Sequence, residues 1–268
     1  MPFTDSANNA DLYGAINEAG INLIAQHIFR QRPSLFNYGT DFVATHPELL
    51  CMPITAAPAV SQRGNPIISV QPPLPVLGTR PEVGLNYCFQ ISKAEIDFHP
   101  GRIALPPELN PPLGVQHFAV HAQICGGLGC PRDFNFPPDP HGREVVPPTD
   151  KLDCFCIDLF VVRHAEVEVV NIPSQGTKRF LVGKVDGLEI VDIKPDGLES
   201  SLECYLNALI QLVILPQAKV EITTLVTYVL KDIATITLVP TPVSPAIPNN
   251  PAIENDQLKM FIKLEVSP

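Results

Sequence analysis

No run of lysine and arginine in this sequence is longer than two residues. The formal net charge is −10, from 28 acidic and 18 basic side chains. Such a chain repels a phosphate backbone and an anionic lipid surface, which argues against nucleic-acid binding. No uninterrupted apolar stretch approaches the roughly 18 residues that a membrane-spanning helix needs. The opening MPFTDSANNAD has neither a basic n-region nor an early apolar core. No secretory signal is therefore expected, and a cytoplasmic location is the default. Gly126, Gly127 and Gly129 lack the flanking residues of a phosphate-binding loop. No serine or cysteine stands in a nucleophile elbow. Together these absences predict a protein without an enzymatic activity and without a cofactor.

What is present is apolar and rich in proline. Hydrophobic residues make up 45% of 268, enough for a substantial core. The 30 prolines exceed the usual frequency of roughly 5% about twofold. Proline interrupts ladders and helix interiors, so many must lie in connections and at sheet edges. The densest stretches are 52–82, 99–113, 131–150 and 240–252. Between them the apolar residues fall into two rhythms. A spacing of three and four at Leu12, Ile16, Ala19, Leu23 and His27 predicts a helix over 8–29. Leu198, Leu202, Tyr205, Leu206, Leu209 and Val213 predict a second helix over 197–213.

Alternation predicts strands elsewhere, over 83–193 and 219–266. Val83, Leu85, Tyr87, Phe89 and Ile91 keep one parity, and Ala94, Ile96 and Phe98 take the other. That change of phase predicts a bulge near Ser92 and Lys93, and with it a bent sheet. In 154–170, Phe155, Ile157, Leu159, Val161 and Ala165 oppose Asp158, His164, Glu166 and Glu168, giving one buried face and one wet face. Short strands are expected at 52–55 and 67–71. The expected fold is α+β and β-dominated: one domain over 1–268, with a strongly curved antiparallel sheet on two long amphipathic helices.

The stretches LYGAINEAGINLIAQHIF (12–29), VGLNYCFQISKAEIDFHP (83–100) and GLESSLECYLNALIQLVILPQAKVEI (197–222) resemble the TULIP superfamily of tubular lipid-binding domains. The resemblance is one of pattern and covers about a quarter of the chain. It implies a long helix wrapped by a curved sheet, with a groove between them that holds a lipid. The residues it would place in that groove are Leu12, Ile16 and Leu23 on the first helix, and Leu198, Leu202, Tyr205, Leu206 and Leu209 on the second. The chain departs from the family in having no secretory signal, no obvious disulfide pair and dense proline insertions.

Four smaller constellations were weighed. Cys125, Cys130, Cys154 and Cys156 form a C-x4-C and C-x-C set that could hold a zinc ion, with His117 and His121 upstream as substitutes. The spacing is looser than in zinc knuckles, so buried thiols beside a glycine turn are the preferred reading, and the seven cysteines are expected reduced. Asp97 with His99, and Asp158 with His164, share strand parities, yet the other parts of a catalytic site are missing. HPGR (99–102) and PHGR (140–143) place Arg102 and Arg143 where an anionic head group could sit, or make ordinary turns. Arg30, Arg32, Phe36 and Tyr38 cluster where interface anchors or a packed helix exit would serve equally. Two functions follow. One is non-enzymatic binding of a lipid or other hydrophobic small molecule. The other is a structural subunit whose proline-rich segments contact a protein partner or further copies of the chain.

Overall fold

The rhythm of alternating apolar residues is realised as two sheets. The computed structural model describes residues 10–76, 78, 83–109, 111–129, 151–173, 176–194, 208, 219–221, 227–230, 234–240 and 251–267. Among these, strands β1 (Leu12–Asn17), β10 (Thr227–Leu230), β11 (Ala234–Pro240), β12 (Ala252–Glu254) and β13 (Gln257–Ser267) form a smaller antiparallel sheet. Its order is β1-β13-β11-β10, with β12 also on β13. The larger sheet contains β2 (Asn37–Gly39), β3 (Ser69–Val70), β4 (Leu74–Val76), β5 (Val83–Phe98), β6 (His117–Gly129), β7 (Asp153–Ile172), β8 (Gly176–Lys194) and β9 (Lys219–Glu221). It runs β3-β2-β5-β6-β7-β8-β9, with β4 on β5, and every pair but β2–β3 is antiparallel. The β-dominated α+β class is thus as expected.

The expected bulge is present. Ile91 pairs with Ile124 and Lys93 with Gln123, so Ser92 is the extra residue, and its hydroxyl donates to Gln123 Oε1 at 2.8 Å. No strongly curled sheet accompanies it among the described residues. The run 178–193 lies within the single strand β8. Register sorts the side chains, but both faces of β7 are partly buried: Phe160 and Val162 on the parity expected to be wet are buried, and Val169 on the other is exposed. Ala122, Ile157, Leu159, Val161, Leu188 and Ile190 form one buried apolar cluster, joined by Val120, Ile124 and Phe155. At the far end of that face, Phe98, Ala165 and Ile253 pack with Ile21, Phe118 and Leu258, so the smaller sheet lies against the larger one there.

The two sheets are joined by the β12–β13 hairpin. Its tip residues Asn255 and Asp256 both have positive φ (52° and 57°), the backbone of a two-residue turn whose twist suits a hairpin. Asp256 N–H donates to His99 O at 3.1 Å, and Asp256 O accepts from Glu18 N–H at 2.9 Å. Gln116 adds a second link, accepting from Ile253 N–H through Oε1 at 3.1 Å.

Only one helix exceeds a single turn or so among the described residues: α1, Glu18–Gln31. Two short ones, α2 (Asp41–Thr45) and α3 (Pro58–Gln62), follow it. The helix expected over 8–29 therefore begins late. Leu12–Asn17 is strand β1, paired with Gln257–Ile262. Leu12 and Ile16, four apart, satisfy a helical period and a period of two equally. Gly14 lowers the helical option by roughly 1 kcal/mol. Asn17 then marks the start, its Oδ1 accepting from Ala19 N–H at 2.9 Å as an N-cap. Segment 52–55 is not a strand, and the expected strand at 67–71 shrinks to Ser69–Val70. The second expected helix, 197–213, lies outside the described residues except for helical Ala208.

Candidate interaction surface

The way α1 sits on the sheet decides which of its residues face outward. β2 and β4 cover the outer edge of β5 only as far as Gln90. Beyond that point the edge is covered by side chains of α1. Asn22 Nδ2 donates to Ile96 O at 2.7 Å, and its Oδ1 accepts from Ile96 N–H at 2.9 Å. The amide thereby replaces one residue of a neighbouring strand. Glu18 Oε2 accepts from Phe98 N–H at 2.6 Å in the same manner. Burial, with Asp97 and Asp256 nearby, raises the Glu18 carboxyl above its ordinary value despite that bond and Arg102.

The helix thus turns residues 18, 21, 22, 25 and 29 inward, and the stripe expected to face the core is turned out. Leu23 is 66% exposed and Ile24 61%. Ile28 follows one turn later, also exposed. Leu23 thus faces away from β5 rather than toward the sheet as the spacing suggests. The reason is that an unpaired strand edge demands hydrogen-bonding groups, which Glu18 and Asn22 supply and leucine cannot.

β1 continues this surface. All six of its residues are exposed, among them Leu12, Tyr13 and Ile16. Leu264 and Val266 on the neighbouring β13 are exposed too. Among the described residues β1 is paired on one side only, with β13, so its other edge is open. Leu12 and Ile16 are strand residues with exposed side chains, not residues of a helix face. They border an open backbone edge that runs directly into the apolar outer face of α1.

The cleft beside α1 is of a different character. It encloses about 450 Å³ and is bounded by Asn22, Gln26, Phe29 and Arg30 of the helix, Met52 to Thr55, and Gln90 to Glu95 of β5. Amides and charges alternate there with apolar groups.

The cysteines are placed by register. Cys125 and Cys156 are direct partners on β6 and β7, with Cα atoms 4.1 Å apart, and are disulfide-bonded. Cys51 forms a second disulfide with Cys154. Gln90 holds the Cys51 segment down by accepting from Met52 N–H at 2.9 Å and donating to Met52 O at 2.8 Å. Gly127 lies between Cys88 and Cys154 in the ladder, and a Cβ there would stand 2.6 Å from Cys51 Sγ. Its missing side chain is what admits the disulfide. Cys88 is a buried free thiol with its Sγ 3.4 Å from Cys51 Sγ, and burial pushes its pKa up. The expectation of reduced thiols at Cys125, Cys154 and Cys156 is therefore corrected. Their sulfurs are in covalent bonds and are not thiolates for zinc. Sequence separation hid these pairs, because they depend on strand register. Cys130 lies outside the described residues.

The remaining constellations are dispersed. The Asp97 carboxylate accepts from the Arg102 and Ile103 N–H groups, both at 2.8 Å from Oδ2. His99 Nδ1 donates to Leu113 O. The Asp97 bonds close the turn at 99–103, the His99 bond ties it to Leu113, and the two side chains do not form a pair. Asp158 meets His121 at 2.9 Å, and the His121 ring stacks on Phe160. Its parity-mate His164 turns to Asp186 instead. Arg102 pairs with Asp256 at 2.6 Å, which neutralises it as an anion site. Phe36 stacks on Phe29 at 3.7 Å, so the ring at the helix exit packs inward. Arg143, Leu198, Leu202, Tyr205, Leu206 and Leu209 lie outside the described residues. Comparison with family models, curated proteins and solved structures finds no match to this chain.

Proposed function

We propose that this chain is a non-enzymatic interaction protein, a structural subunit that docks on a protein partner through β1 and the outer face of α1. The observation that carries this reading is the coincidence of an open backbone edge with exposed apolar side chains on β1 and α1. An added strand satisfies the N–H and C=O groups of an edge while side chains beside it bury apolar area. The acyl chain of a lipid has neither donors nor acceptors for those groups. This favours a protein partner, contributing an extended apolar segment, over the lipid that the tubular-domain resemblance implies. The two disulfides support an oxidising compartment over the cytoplasm. Among the described residues no helix is long and apolar enough to cross a membrane.

The test compares the full chain with an Ile16→Lys/Ile24→Glu variant. Light scattering reads self-association, pull-down from the source cells reads a stoichiometric partner, and mass spectrometry of extracts reads lipid. Protection of β1 amides from hydrogen exchange in the captured complex, and loss of the complex in the variant, are expected. A partner retained equally by the variant, or a stoichiometric lipid with no protein partner, overturns the reading.

A further inference from the structure

A second polar constellation stands on the face of the larger sheet that also carries Ala119 and Val162. His117 and His164 are direct cross-strand partners on β6 and β7, so both imidazoles rise from the same face. Their ring centroids are 6.0 Å apart. Asp186 joins them through an irregularity. Val162 pairs with Gly187 and Arg163 with Val185, which leaves Asp186 as an extra residue in β8. A bulge of this kind re-aims a side chain that regular pleating would send elsewhere. The Asp186 carboxylate lies 2.8 Å from His164 Nδ1 and 3.6 Å from His117 Nε2. One atom from each of the three residues lies within 4.8 Å of the others. Ligand atoms about 2.1 Å from one ion stand roughly 3–3.5 Å from each other, so small side-chain adjustments suffice.

The tautomer of His117 adds a chemical reason. Its Nδ1 is 2.9 Å from Val115 O. A carbonyl only accepts, so Nδ1 carries the hydrogen and the neutral ring presents a lone pair at Nε2. That lone pair faces a carboxylate oxygen, which is also an acceptor. A cation between the two resolves the opposition, and an Nδ1–H bonded to a backbone carbonyl is the outer support that metal-bound histidines usually have. The surroundings leave room for it. A Cβ on Gly114 would crowd His117 Nδ1 at 3.3 Å, and one on Gly187 would meet Leu109 Cδ2 at 2.7 Å. With glycine at both places, the turn Pro107–Leu109 leans over the bulge and closes a cleft of about 280 Å³, with Glu108 in its wall.

We propose that His117, His164 and Asp186 form a binding site for a divalent transition-metal ion of the zinc type. Two imidazoles and one carboxylate suit such ions and not calcium or magnesium, which take oxygen ligands. Three protein ligands leave a coordination position open to the cleft, for water or for an incoming carboxylate. The ion takes the place of the hydrogen on His164 Nδ1, and the neutral ring then carries its hydrogen on Nε2 by exchange through solvent. The site is separate from the β1 and α1 surface and stands or falls independently of it.

The test uses EDTA-stripped full-length protein with its reactive thiols blocked, titrated with Zn²⁺ by calorimetry and with Co²⁺ by visible absorption. One Zn²⁺ per chain is expected, undisturbed by millimolar Mg²⁺. Co²⁺ should give d–d bands without thiolate charge transfer in the near ultraviolet. Affinity should fall at least about 100-fold in Asp186→Asn and His117→Ala, since even outer supports are worth 10–100-fold. It should be unchanged in His121→Ala, whose ring serves Asp158. Asp186→Asn keeps the shape of the side chain and carries the test should His117→Ala fail to fold. Absence of Zn²⁺ binding, binding equally tight in the folded variants, or a thiolate charge-transfer band overturns the proposal.

Discussion

Removing the Cys51–Cys154 disulfide by the double substitution Cys51→Ser/Cys154→Ser should destabilise the protein more than removing Cys125–Cys156 in the same way. The bonds span 103 and 31 residues. A cross-link acts chiefly by denying conformations to the unfolded chain, and the effect grows with the logarithm of the closed loop. The two lengths correspond to about 4.7 and about 3.7 kcal/mol at 25 °C, so the difference is about 1 kcal/mol. Pairs of substitutions are needed because a single one would free a thiolate next to Cys88, whose sulfur is 3.4 Å from Cys51 Sγ. Urea unfolding followed by circular dichroism measures both losses. The slope with denaturant should rise in each variant, since an untied unfolded chain exposes more surface. Thiol titration in denaturant without reductant should find no more than three of the seven cysteines reactive in the native protein. A loss below about 1 kcal/mol for both variants would refute the entropic account. So would a larger loss for the shorter loop.

Three further outcomes are expected. Cys154→Ser leaves Cys51 beside Cys88, and peptide mapping should find a Cys51–Cys88 disulfide; recovery of both as free thiols under oxidising conditions would contradict the placement. Lys259 and Glu254 pair at 2.6 Å with both side chains about 10% exposed, so Glu254→Gln should cost about 3 kcal/mol in urea unfolding by leaving a buried ammonium before a neutral amide. Glu18 has a folded pKa raised above its ordinary value near 4.5, chiefly by burial. Between those two values the folded chain holds a proton that the unfolded chain releases, so this group's contribution to stability is greatest below pH 4.5 and declines as pH rises through the window. Glu18→Gln keeps an acceptor for Phe98 N–H and should flatten that part of the stability–pH profile; an unchanged slope would refute it.

Part of this architecture is local and could be read directly. The period of two in 83–98 and 154–170 names strands because a pleated backbone sends successive side chains to opposite faces. The phase change at Ser92 is legible for the same reason. The short elements were not. Pro58–Gln62 is a helix with proline at its first turn, in a stretch whose prolines otherwise mark connections. Leu12 to Asn17 carries a spacing that fits helix and strand alike, and its partners in β13 are 240 to 250 residues away. Of the candidate sites, His117 and His164 were visible as residues. Asp186 was not, because nothing local shows that β8 holds an extra residue there.

The amino-acid sequence by itself determined the β-dominated class of the fold, the strands at 83–98 and 154–170 and the acidic balance. These depend on residue chemistry and on spacings of a few residues. The tertiary structure alone decided that α1 seals a strand edge with Glu18 and Asn22 and shows Leu23 and Ile24 to the outside. It alone decided which cysteines meet, and that ligand atoms of two histidines and an aspartate from three strands come within 4.8 Å of one another. Register and edge coverage are properties of paired chains, and a pair exists only once distant segments have come together.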